Sequence, residues 1–192
     1  MPSTSMLTFL LALALSGSAV AQEHHQREHG ASPSSAHTPY AGLQQRSIKA
    51  LSDQQVSDLR AGRGMGLALA AELNGYPGPL HALELADELS LSPDQRSSIG
   101  AALNSMKSET AAIGERVIAG ETALDRLFAS RKITPEDLDA ALMRIAAAQG
   151  ELRAAHLRYH LQMTTILSPE QAITYARLRG YSPSQPGPAA TR

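Results

Sequence analysis

An all-α protein is predicted by three observations. The phrases Leu51-Ser52-Asp53-Gln54-Gln55, Leu91-Ser92-Pro93-Asp94-Gln95, Ile133-Thr134-Pro135-Glu136-Asp137 and Leu167-Ser168-Pro169-Glu170-Gln171 each read as a helix start. In each, Ser or Thr accepts from an orphan backbone N–H, the residue three places on reaches back to the cap's own N–H, and Pro or Asp at the first helical position sacrifices no internal bond. Second, two long stretches carry apolar side chains at alternating steps of four and three, the heptad seam of helices lying side by side. Third, aromatic residues are only 4% of the chain, so the core must be Leu, Ile, Ala and Met, which suits closely packed helices better than a pocket for a large ligand.

Taken in order, Met1 to Ala21 reads as a removable export signal. The apolar run from Met6 to Leu15 is too short to span about 30 Å of hydrocarbon, and Ala19-Val20-Ala21 has the small-x-small pattern of a cleavage site. Its first segment lacks Lys and Arg, which leaves an uncleaved anchor as the alternative. Residues 22–39, rich in His, Ser, Gln and Pro, read as a disordered arm, and residues 182–192, with Pro183, Pro186 and Pro188, as a disordered tail. Residues 40–181 form the helical domain. Its first helix is expected from about Ser52 to Asn74, where the breaker cluster Asn74-Gly75-Tyr76-Pro77-Gly78-Pro79 stops it, and a shorter one from about Leu80 to Leu89 follows.

The two long helices come next, from Ser92 to about Arg131 and from Thr134 to about Ile166. The first seam holds Ile99, Leu103, Met106, Thr110, Ile113, Val117, Leu124 and Leu127, with Gly120 in its one gap; the second holds Leu138, Leu142, Ile145, Gln149, Leu152, His156, Tyr159, Met163 and Ile166. Only Lys132 and Ile133 connect them, so the helices must turn back on each other as an antiparallel hairpin about 50–60 Å long at 1.5 Å per residue. A last short helix runs from Ser168 to about Arg179. The hairpin's surplus apolar surface is expected to meet the preceding helices, a second copy of the chain or a client.

The chain has no cysteine, which excludes a disulfide framework, a Cys-linked lipid anchor, thiolate metal ligands and Cys nucleophiles. Net charge is −1 with acids and bases interspersed, so no patch points to nucleic acid or an anionic membrane. Gly62, Gly64 and Gly66 do not make a phosphate loop, because no strand precedes them and no Lys-Ser/Thr follows. No Ser, His and Asp grouping or buried carboxylate pair is marked, and no enzyme is indicated.

An export signal, no cysteine, and two Leu-Ser-x-x-Gln phrases, Leu91-Ser92-x-x-Gln95 and Leu167-Ser168-x-x-Gln171, at the two ends of a long hairpin together resemble the Spy/CpxP family of periplasmic chaperones, with its ZraP-like and CnrX-like metal-binding relatives. The likeness covers about Leu80 to Tyr181, whereas residues 40–79 have no counterpart in Spy itself. The resemblance implies an elongated, often dimeric, periplasmic protein that holds unfolded envelope proteins without ATP, or senses and buffers metal ions, in some cases beside a membrane sensor protein. Spy-like cradles are commonly basic; this chain is near neutral.

His156 and His160 sit four apart and so share a helix face, as metal-binding pairs require. Antiparallel pairing sets His156 against about Glu109 and His160 against about Ser105, making Met106 and Glu109 candidate further ligands for zinc, nickel or copper. The pair also reads as a polar seam residue beside a solvated one. His24, His25, His29 and His37 make the arm a second candidate chelator, or simply a hydrophilic spacer. His81, Glu84 and Glu88 read as a solvated stripe. The expected function is thus an ATP-independent envelope binding protein holding unfolded clients, needing no cofactor. The alternative is a Zn, Ni or Cu sensor or buffer.

Overall fold

The structure, a computed structural model, describes residues 40–181. The expected export signal, the arm with its four histidines and the tail lie outside the described residues. After a 3₁₀ turn at Leu43–Gln45 come six α-helices: α1 (Asp53–Arg60), α2 (Leu69–Glu72), α3 (Pro79–Glu84), α4 (Pro93–Ala129), α5 (Pro135–Ile166) and α6 (Pro169–Leu178). The fold is all-α, and no β-strand forms among the described residues.

All four predicted caps are present as reciprocal capping boxes. Ser52, Ser92, Thr134 and Ser168 accept from the N–H three residues on, and Gln55, Gln95, Asp137 and Gln171 reach back to the cap N–H. The boxes satisfy donors that would otherwise be orphaned at each helix start. α4 and α5 form the expected antiparallel hairpin, with Glu109 of α4 paired to Arg158 of α5 at 2.6 Å and Arg116 paired to Glu151.

Two expectations are corrected. The helix foreseen from Ser52 to Asn74 is broken after Arg60, because Gly62, Met65 and Gly66 adopt positive φ angles of 62°, 44° and 77° that no helix tolerates. Gly62 also lies where a Cβ would stand 2.5 Å from Thr110 Oγ1 and 2.6 Å from the Lys107 carbonyl, so only glycine lets α1 end against α4. In α5, Leu142 and Gln149 are exposed, while Ala141, Ala148 and Ala155 are buried with Ile145 and Leu152. The helices approach closely enough for Ile145 to press on Gly120, and alanines rather than leucines fill a seam that narrow.

The preceding segment covers the hairpin. Ile48 and Leu59 pack with Ile113, Val117, Ile118, Ala148 and Leu152 midway along it, and Ala82, Ala86, Leu89 and Leu91 pack with Ile99, Met163, Leu167 and Tyr175 at its base. Between these two apolar clusters lies a belt of buried polar side chains.

Candidate functional site

The two Leu-Ser-x-x-Gln phrases meet at the hairpin base. Leu91 and Leu167 are buried in the same cluster, with Ser92 and Ser168 capping α4 and α6. The Gln95 amide donates to the Ile166 carbonyl and to Gln171 Oε1, both at 2.8 Å, while its oxygen accepts from the Ser92 N–H at 3.0 Å and from Gln171 Nε2 at 3.1 Å. Gln171 mirrors this, donating also to the Leu89 carbonyl at 3.1 Å and accepting from the Ser168 N–H at 2.9 Å. Each amide thereby uses its full capacity of two donors and two acceptor lone pairs. Gln55, in the first box, bonds only its own cap. The paired glutamines tie α4, α5, α6 and the chain before α4 together, so this motif is a structural clasp.

The buried polar belt is the candidate site. His156 and His160 both point to one side of α5, at 2% and 7% exposure. They line a cavity of about 250 Å³ together with Met106 of α4, Glu72 of α2, Met65 of the glycine loop and Gly78. His160 is therefore not the solvated residue that its position first suggests.

The breaker cluster is what orients His160. Asn74 donates to the Ala70 carbonyl at 2.8 Å, Gly75 takes φ 85°, and the prolines at 77 and 79 restrict the chain that follows, so the turn aims the Tyr76 carbonyl at His160 Nδ1, 2.8 Å away. A carbonyl oxygen only accepts, so Nδ1 carries a proton, and in the neutral ring this tautomer places the lone pair on Nε2. Gly78 packs on the Cε1–Nε2 edge of the ring, where a Cβ would come within 2.9 Å of Cε1 and 3.2 Å of Nε2. Glu72 Oε2 lies 3.6 Å from His160 Nδ1.

Glu72 itself is buried and held. It accepts from the Tyr175 hydroxyl, and Arg179 Nε stands 3.8 Å away. Tyr175 is almost wholly enclosed, and burial followed by its bond to Glu72 pushes its hydroxyl far above the usual phenol range, so it remains a donor. The Gly78 N–H in turn donates to Tyr175 Oη at 3.4 Å.

His156 Nε2 is the one fully enclosed side-chain nitrogen or oxygen among the described residues that has no hydrogen-bond partner. Burial, and then the neighbouring His160, pulls its pKa below the ordinary imidazole value, so at neutral pH the ring is uncharged. An orphaned buried donor or acceptor is destabilising by about 1–3 kcal/mol, which makes it a place to look for a missing partner.

Of the further ligands considered from sequence, Met106 lies at the cavity and Glu109 does not. Glu109 is bonded to Arg158 and, at 3.0 Å, to the Tyr159 hydroxyl, which hold its carboxylate at the half-exposed side of the hairpin, although Gly120 against Ile145 keeps the expected antiparallel register. Among the described residues no three His, Cys, Asp or Glu side chains gather as a metal-binding group. The cavity lining adds to the two histidines the thioethers of Met65 and Met106, the Glu72 carboxylate, a third imidazole at His81 and the Arg179 guanidinium. His81, half-buried and lining the same cavity, is paired through Nδ1 with Glu84 at 2.8 Å.

Met65, Glu72 and Tyr175 were not singled out from sequence. The signal for the first two was the glycine-rich loop and the Asn-Gly-Tyr-Pro turn, whose density of special backbone residues in a helical chain marks a built connection. Comparison of the chain with protein-family models, curated proteins and solved structures returns no match.

Proposed function

We propose that this protein is an ATP-independent binding protein of the cell envelope, of the Spy/CpxP type, and that its built site takes a metal ion, making it a sensor or buffer. The observation that carries this reading is the unpartnered Nε2 of His156, buried beside a second imidazole whose Nε2 lone pair is left free by the Tyr76 carbonyl. A backbone carbonyl bonded to the other ring nitrogen is a usual outer support of a metal-bound histidine. Calorimetric titration of the mature protein with Zn(II), Ni(II) and copper should show one equivalent that disappears in the His156→Gln, His160→Gln double variant. Equal binding by the two proteins would refute the reading and leave only the arm histidines as chelators.

Holding of unfolded envelope proteins is the second reading, favoured by Leu142, Met143, Leu161 and Ile173, large apolar side chains left exposed on α5 and α6, with Met143 at 73%. It predicts that equimolar protein suppresses aggregation of an unrelated denatured client without nucleotide. No suppression at several-fold excess, with and without added metal, would remove it. Export to the periplasm, pairing into a homodimer and contact with a membrane sensor protein belong to the same proposal; the first is checked by a mature chain beginning at Gln22 in mass spectrometry.

A further inference from the structure

We propose that the cavity between α2, α4 and α5 is a site for a soft monovalent cation, Cu(I), bound by the imidazoles of His156 and His160 and the thioether of Met106, with the Met65 thioether closing the set at the mouth. This rests on the metal reading above and names the ion.

The donor types decide it. Two methionines line the same cavity as the two histidines. Thioethers are soft, uncharged ligands that select Cu(I), whereas zinc sites are built from thiolate, imidazole and carboxylate. The one carboxylate at the cavity, Glu72, is already engaged by the Tyr175 hydroxyl and by Arg179. A neutral nitrogen and sulfur set then faces a cation in a buried place. Desolvation grows with the square of the charge, so a divalent ion there meets about four times the Born penalty of a monovalent one. Arg179, which also lines the cavity, stands 3.8 Å from Glu72 and already offsets that carboxylate, which further disfavours a second positive charge on the ion.

The loop geometry supports a role for Met65. Its backbone is held in the left-handed region at φ 44° next to Gly66 at 77°, and Gly62 anchors the loop against α4 through its close contact with Thr110. Met65 is thus presented, partly exposed, at the opening of the cavity, while Met106 is buried within it. The arrangement gives an entering ion one accessible sulfur and one enclosed sulfur.

The test is competition of the full mature protein against a chromophoric Cu(I) chelator, under anaerobic reducing conditions, with Ag(I) as a redox-inert probe and Zn(II) titrated in parallel. Parent, Met65→Leu, Met106→Leu and the His156→Gln, His160→Gln variant all keep the histidine arm, so differences among them report the cavity alone. Leu matches Met in volume, and circular dichroism verifies that each variant is folded. Met106→Leu should weaken Cu(I) and Ag(I) by at least about tenfold and leave Zn(II) within about twofold, with sulfur scattering in the copper X-ray absorption spectrum reduced to the Met65 contribution. Met65→Leu should act in the same direction and less strongly. Unchanged Cu(I) affinity and no sulfur scattering in the parent would overturn the proposal. In that event, loss of Zn(II) or Ni(II) in the double His variant would leave the metal reading standing on imidazoles alone, and no loss of any ion would remove that reading too.

Discussion

Replacing Gln95 with Ala tests whether the Leu-Ser-x-x-Gln phrase is more than a helix cap. The side chain makes four hydrogen bonds, two of them to Gln171. At about 0.5–1.5 kcal/mol each, with water replacing some partners at a half-buried position, Gln95→Ala should destabilise by about 2–4 kcal/mol. Gln171→Ala removes an equivalent set and should match it. The two share their mutual pair of bonds, so the double variant should fall short of additivity by about 1–2 kcal/mol. Gln55→Ala is the internal control: the same box position without a cross-helix partner, for which about 0.5–1 kcal/mol is expected. Urea unfolding of the four variants and parent gives all of these values. Additive effects within about 0.5 kcal/mol, or a Gln55→Ala cost equal to that of Gln95→Ala, would refute the clasp and return the motif to simple capping.

Two glycines of α4 should respond oppositely to Ala. At Gly100 a Cβ meets nothing within 4 Å, so the helix gains about 0.5–1 kcal/mol, whereas at Gly114 it would stand 2.4 Å from the Leu59 carbonyl oxygen and force α1 away at about 1–3 kcal/mol. Thermal unfolding distinguishes them, and a stabilised Gly114→Ala would show that α1 does not pack there. His156→Leu removes the orphaned nitrogen and should stabilise the metal-free protein at pH 7 by about 1–3 kcal/mol while lowering metal binding; a destabilised variant would mean that the nitrogen has a partner. Because burial depresses the folded pKa of His156, the unfolded chain takes up its proton first as pH falls below about 6.5. Metal-free protein should therefore lose stability from pH 7 downward toward the folded pKa, and the slope should be shallower in His156→Leu; identical slopes would contradict the assignment.

What could be read along the chain is what one helical turn contains. A capping box closes within four residues, so Ser52, Ser92, Thr134 and Ser168 announced their helices without reference to anything distant. The two-residue connection at Lys132 and Ile133 required the hairpin, and the spacing of His156 and His160 required a shared face. Tertiary contacts decided the rest. Leu142 and Gln149 satisfy the heptad as well as Ala141 and Ala148 do, and only the closeness of two helices at Gly120 chooses the alanines. The expected Glu109 goes to Arg158 and Tyr159, a choice among side chains on the facing helix that periodicity cannot make. Met65, Glu72 and Tyr175 reach the histidines from segments separated by about a hundred residues, and the turn at Asn74 to Pro79 steers the chain there. Local hydrogen bonds are set by neighbours in sequence; the donor set around a buried imidazole is set by which surfaces bury one another, and that is a property of the whole folded chain.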